Sequence, residues 1–188
     1  MAKLRIRTVP DPILHQKSKP AQSPAGGNKK IKKLAQKMIN LIKNGPEGQR
    51  IGVGLSAVQI GKPLRIFVVY SKKSQKDLVF VNSKIIWKSK KLVNGIPDTE
   101  NKYEGCLSVP GFLGLVKRHQ SIKLEYQALN GRIQKRKFSG FLSTVIQHEM
   151  DHLNGILFVE RVLKQKGKIY KFEKDKKGEE ILVEVKFK

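Results

Sequence analysis

Residues Ser121–Gly155 read SIKLEYQALNGRIQKRKFSGFLSTVIQHEMDHLNG. The first half is two alternating runs around Asn130-Gly131, the pattern of a β-hairpin. The second half gives up the period of two and predicts a helix over about 139–153, closed by Asn154-Gly155. Inside that helix, QHEMDHLNG puts His148 and His152 four residues apart, with Glu149 directly after the first. Residues four apart share a helical face, so both imidazoles can reach one point. Two stacked imidazoles beside a carboxylate suit a catalytic metal, with the histidines as ligands and the glutamate as general base. The plainer reading is a surface helix that carries the pentad by chance.

Residues 29–43 (KKIKKLAQKMINLIK) carry apolar side chains at 31, 34, 35, 38, 39, 41 and 42, a helical stripe ended by Asn44, Gly45 and Pro46. Lys19–Asn28, rich in Pro, Gly and Ser, reads as loop. RIFVVY (Arg65–Tyr70) and DLVFVN (Asp77–Asn82) read as strands, and Lys88–Lys102 as a long loop. At the N-terminus, Leu4 and Ile6 alternate with Arg5 and Arg7, which suits a short strand better than a signal or transit helix. KIYKF and EEILVEVKFK predict a last hairpin about Asp175–Gly178, with Ile181, Val183, Val185 and Phe187 on one face. The fold class is α+β: one domain over 1–188, antiparallel strands around a central helix, with a basic, strand-like tail over about 165–188.

A chain of 188 residues, 39% hydrophobic, can bury a real core, and no apolar run approaches a membrane span. Its one cysteine, Cys106, excludes an intrachain disulfide and suggests a reducing compartment. The net charge of +24 raises the class of RNA-binding modules. However, 31 of the 39 basic residues are lysine, not the arginine that reads phosphates bidentately, and they are spread along the chain without interleaved aromatics. A solvated basic surface, with weak attraction to RNA, is the better account.

A catalytic metal site commonly has three protein ligands. His15, in DPILHQKSKP, and His119, in VKRHQSIK, compete with Cys106 for the third place. Each histidine reads better as exposed, whereas Cys106 sits in EGCLSVPG, an irregular segment that leaves backbone amides available. GVGLSAVQIG (Gly52–Gly61) has two glycines spaced as in a phosphate-binding turn but lacks the third. That pair alone is a weak signal, and the alternative is a backbone edge that a peptide can approach closely, followed by Gln59 as an amide donor.

In this order, GVGLSAVQIG, EGCLS and QHEMDH resemble the three signature motifs of the peptide deformylases, and VPDPIL is similar to that family's N-terminus. The resemblance runs from about Thr8 to Arg161. Ser56 and Val58 depart from it, standing where the family usually has alanine and commonly proline. Lys88–Lys102 is extra length, and the strand-like tail is unlike the terminal helix of some members.

The resemblance implies hydrolysis of the N-formyl group from the first methionine of a nascent polypeptide, giving formate and a free amine. It implies Cys106, His148 and His152 as ligands of one divalent metal ion, Fe²⁺ in the cell, with Zn²⁺ or Ni²⁺ after purification. Glu149 takes a proton from the attacking water and later delivers one to the leaving amine. Gln59 and the Leu107 N–H stabilise the developing oxyanion. Toward the methionine side chain, Val145, Thr144 and Phe141 share the face of His148, one and two turns before it, and are expected as pocket walls. Val53 and Gly54 are expected opposite. The implied partners are the N-formylmethionyl peptide and the ribosome surface, with no membrane, in a bacterial-type cytoplasm or an organelle. A zinc metallopeptidase using the same helix, an RNA-binding module and a redox-sensing cysteine protein are the alternatives.

Overall fold

The strand IFVV shows how the architecture is built. In β2 (Ile66–Ser71), Ile66 and Val68 enter one apolar cluster while Phe67 and Val69 enter another, all four fully buried. A strand apolar on both faces must be covered on both. Here the covers are two helices, α1 (Lys29–Lys43) and α2 (Gly140–His152). The structure, a computed structural model, describes residues 4–23, 26–44, 52–71, 75–97 and 99–185.

β2 lies in an antiparallel five-stranded sheet with β1 (Gly54–Ser56), β3 (Lys76–Lys88), β8 (Ser121–Gln127) and β9 (Ile133–Ser139), in the order β1-β2-β3-β8-β9. α1 covers one face with Ile31, Ala35, Met38, Ile39 and Ile42, the predicted stripe. Asn28 caps it, its side chain accepting from the Lys30 N–H at 2.8 Å. Asn44 closes the helix, and Gly45 and Pro46 lie outside the described residues. On the opposite face Phe67 stacks on Phe80 at 4.7 Å, and Phe80 meets Tyr126 edge-on at 4.8 Å. Such pairs add about 0.5–1.5 kcal/mol each beyond their buried area.

A second sheet, ordered β11-β10-β6-β5, contains β5 (Glu104–Cys106), β6 (Val109–Gly114), β10 (Ile169–Lys174) and β11 (Glu180–Glu184). A short helix, α3 (Phe158–Lys164), packs Phe158 and Val162 against it with Val109 and Ile169. β4 (Leu92–Asn94) pairs with β7 (Lys117–His119) as a separate ribbon.

α2 packs on the first sheet, and Glu104 and Cys106 of β5 reach its His148 and His152. It therefore buries polar as well as apolar residues, among them Thr144, Gln147, Glu149, Asp151 and His152. Among the described residues, no helix is long and apolar enough to cross a membrane.

Four expectations are corrected. Leu4–Arg7 is not a strand: the Arg7 N–H donates to the Gln59 carbonyl at 2.7 Å, which ties the segment to a tight turn rather than a ladder. The second predicted strand does not stop at Asn82 but runs to Lys88. It passes Asn82 at φ 52° and two register shifts, irregularities that the apolar pattern cannot reveal. Lys88–Lys102 is not wholly loop, because Leu92–Asn94 finds the distant Lys117–His119. His119 is only partly exposed, its Nδ1 sitting 2.7 Å from the Ser89 carbonyl oxygen. In the tail, β10 and β11 form the predicted hairpin, and Phe187 lies outside the described residues.

Candidate active site

α2 delivers two imidazoles to the end of β5. Cys106 Sγ lies 3.2 Å from His152 Nε2. The ligand atoms of Cys106, His148 and His152 all lie within 4.8 Å of one another, and they form the one such group found among the described residues. Sulfur and nitrogen donors on one tetrahedral metal ion stand about 3.5 Å apart, given bonds of about 2.3 and 2.0–2.1 Å. The donor set fits a divalent transition metal, and the Cys106–His152 separation is close to that spacing. His15 is elsewhere, half-exposed and 3.9 Å from Glu160.

A buried ionic network holds β5 against α2. Arg118 donates to both oxygens of Glu104, at 2.6 and 2.8 Å, and to Asp151 at 2.9 Å. Arg161 closes the other side of Asp151. Glu104 is two residues before Cys106, and Asp151 directly precedes His152, so the network sets the distance between sulfur and imidazole. Burial works against the Glu104 charge, but Arg118 and then His148 outweigh it and hold the carboxyl at about 2. Arg118 is itself buried, which lowers its affinity for a proton, yet Glu104 and Asp151 raise it above the usual arginine value.

The same carboxylate orients a ligand candidate. Glu104 Oε2 is 3.0 Å from His148 Nδ1, leaving Nε2 free to face Cys106. Burial lowers the proton affinity of both histidines. At His148 the contacts with Cys106 and Glu104 reverse that and raise it well above the ordinary value. At His152 the neighbouring His148 and Arg118 lower it further, keeping the ring neutral, the form in which imidazole binds a metal.

Glu149 turns away from the histidines toward β1. Burial pushes its carboxyl up, opposed in part by His148 and by a hydrogen bond from Ser56. The Ser56 hydroxyl is 2.7 Å from Glu149 Oε2 and 3.0 Å from the Glu149 main-chain carbonyl oxygen. The other carboxylate oxygen lies over Gly54, where a Cβ would collide with it. Gln59 is fixed end to end: the Ser56 N–H donates to its Oε1 at 2.8 Å, so its amide NH₂ faces Ser108 Oγ, 3.1 Å away, and Cys106 Sγ, 3.6 Å away.

These groups surround a cavity of about 410 Å³. Val53, Gly54, Gln59, Cys106, Leu107, Phe141, Thr144, Val145, His148 and Glu149 all line it; His152 lies behind, almost wholly buried. Sequence reasoning missed the Glu104–Arg118–Asp151 network, although Glu104 and Asp151 stand inside the quoted motifs. It also missed Ile96, Leu113 and Phe172 in the cavity wall.

The family model for polypeptide deformylase matches residues 3–168. A peptide deformylase of Mesorhizobium japonicum is 35% identical over 177 residues, covering 89% of this chain and 92% of its own. One from Dictyoglomus thermophilum is 40% identical over 160 residues, covering 85% and 93%. The crystal structure of the Thermotoga maritima peptide deformylase superposes with a TM-score of 0.73 at 30% identity, over 86% of this chain and 98% of that one. Nothing in these matches supports the metallopeptidase or RNA-binding alternatives. The chain belongs to the peptide deformylase family, metal-dependent hydrolases that remove the N-formyl group from the starting methionine of nascent polypeptides.

Proposed function

We propose that Cys106, His148 and His152 hold the metal ion of this deformylase and that Glu149 carries the protons of the reaction. The observation that supports it most is the convergence of one sulfur and two imidazoles, with a buried carboxylate facing the same cavity. Thiolate and imidazole suit Fe²⁺, Zn²⁺ and Ni²⁺; iron as the cellular ion rests on the family resemblance. When bound, the ion supplies Lewis acidity and makes water a nucleophile at neutral pH.

The chain's own residues do the rest. Val53 and Gly54 on one side and Thr144, Val145 and Phe141 on the other receive the methionine side chain. Glu149 accepts a proton from the water as its oxygen bonds to the formyl carbon, then gives it to the amine nitrogen as the C–N bond breaks. Formate and a free N-terminus result. Gln59 Nε2 and the Leu107 N–H donate to the carbonyl oxygen as charge grows on it. All of 1–188 serves as one catalytic domain. Its lysine-rich surface gives weak, salt-sensitive attraction to ribosomal RNA in a bacterial-type cytoplasm.

Glu149→Gln tests the assignment. The variant keeps the metal and loses most turnover of a formyl-methionyl peptide; near-normal turnover would remove Glu149 from the mechanism.

A further inference from the structure

Phe172 has no place in the core. It is 52% exposed, in the polar run KFEKDKKGEE, yet its ring lines the active-site cavity. It lies beyond residue 168, where the family match ends, on the hairpin formed by β10 and β11. The hairpin reaches the site because β10 pairs with β6, with Tyr170 opposite Leu113 and Lys171 opposite Phe112. Phe172 follows directly and lines the cavity together with Gly105, Gly111 and Leu113. The catalytic end of the cavity is deep, with Gln59 1% and Glu149 3% exposed. Phe172 therefore stands at its mouth.

A formylated peptide with its methionine inside must leave through that mouth. In an extended chain successive side chains point to opposite sides, and residues two apart share a side about 6.6 Å further on. With the methionine directed into the cavity, the second side chain points away and the third points back toward the wall. We propose that Phe172 is a specificity-determining residue whose ring receives an apolar or aromatic side chain at the third position of the substrate. This rests on the deformylase reading and adds to it a preference supplied by the hairpin.

The test compares kcat/KM for formyl-Met-Ala-Phe and formyl-Met-Ala-Ser in the metal-loaded enzyme. The wild type favours the phenylalanine peptide about threefold to tenfold, the range of one aromatic contact, and the difference lies in KM. Phe172→Ala brings the ratio close to one, and Phe172→Tyr keeps it. A wild-type ratio of one, or a preference that survives Phe172→Ala, overturns the proposal. Wild-type turnover of formyl-Met-Ala, which has no third residue, checks the deformylase reading separately: its absence would refute that reading, and its presence without a third-position preference refutes only the role of Phe172.

Discussion

Glu104 accepts at 3.0 Å from the Nδ1 side of His148 while both of its oxygens are held by Arg118. The carboxylate fixes which imidazole nitrogen faces Cys106, and the guanidinium fixes the carboxylate. Groups behind a metal ligand commonly set affinity by 10- to 100-fold. Glu104→Gln keeps the shape and an acceptor but loses the charge. It should weaken metal binding about tenfold in a chelator competition; an unchanged affinity would show that the orientation is set elsewhere.

The Ser56 hydroxyl serves both protonation states of Glu149. It can donate to the carboxylate, or accept from the carboxylic acid while donating to the Glu149 main-chain carbonyl. Ser56→Ala should lower kcat about threefold to tenfold, the worth of one hydrogen bond, with metal content intact. The readout is steady-state kinetics on formyl-Met-Ala; a change confined to KM would contradict the assignment.

The buried ion network makes folding sensitive to acid. The Glu104 carboxyl drops from its ordinary value near 4.5 to about 2 in the folded chain. As pH falls the unfolded chain therefore takes up this proton first. The stabilisation is complete above about 4.5 and is lost as pH falls toward 2. In metal-free protein, the urea-unfolding gap between wild type and Glu104→Gln should close over that window. A gap constant from pH 6 to pH 2.5 would contradict it. Arg118→Met, which leaves the buried Glu104 carboxylate without its guanidinium partner while Asp151 keeps Arg161, should cost about 3–5 kcal/mol.

Local periodicity made α1, α2, the β8–β9 hairpin and the terminal hairpin legible, because each is written in a short window of sequence. His148 and His152 were legible for the same reason, on one helical face, whereas Cys106 was legible as the only cysteine, set in a motif that resembles the family's. The longer course of β3, the β4–β7 ribbon and the Glu104–Arg118–Asp151 network were not. Each depends on a partner far along the chain, which no window contains. Phe172 is the clearest case: only the pairing of β10 with β6 tells it from any other aromatic residue in a charged run.

Val145 lines the cavity one turn from His148 and is 7% exposed. Val145→Phe should shrink the space for the methionine side chain. KM for formyl-methionyl peptides should rise, by about 5- to 150-fold for a misfit of about 1–3 kcal/mol, with the metal retained. Unchanged kinetics in a folded variant would place the methionine pocket elsewhere.

Whether the Cys106 sulfur and two imidazoles share one metal ion is read from the absorption spectrum of the protein loaded with Co²⁺, where a thiolate ligand gives a charge-transfer band that oxygen and nitrogen ligands do not. The expected result is one cobalt per chain with this band, loss of the band in Cys106→Ser, and weakened metal retention in His148→Ala and His152→Ala. A wild-type spectrum without the thiolate band, or one identical to that of Cys106→Ser, would contradict it.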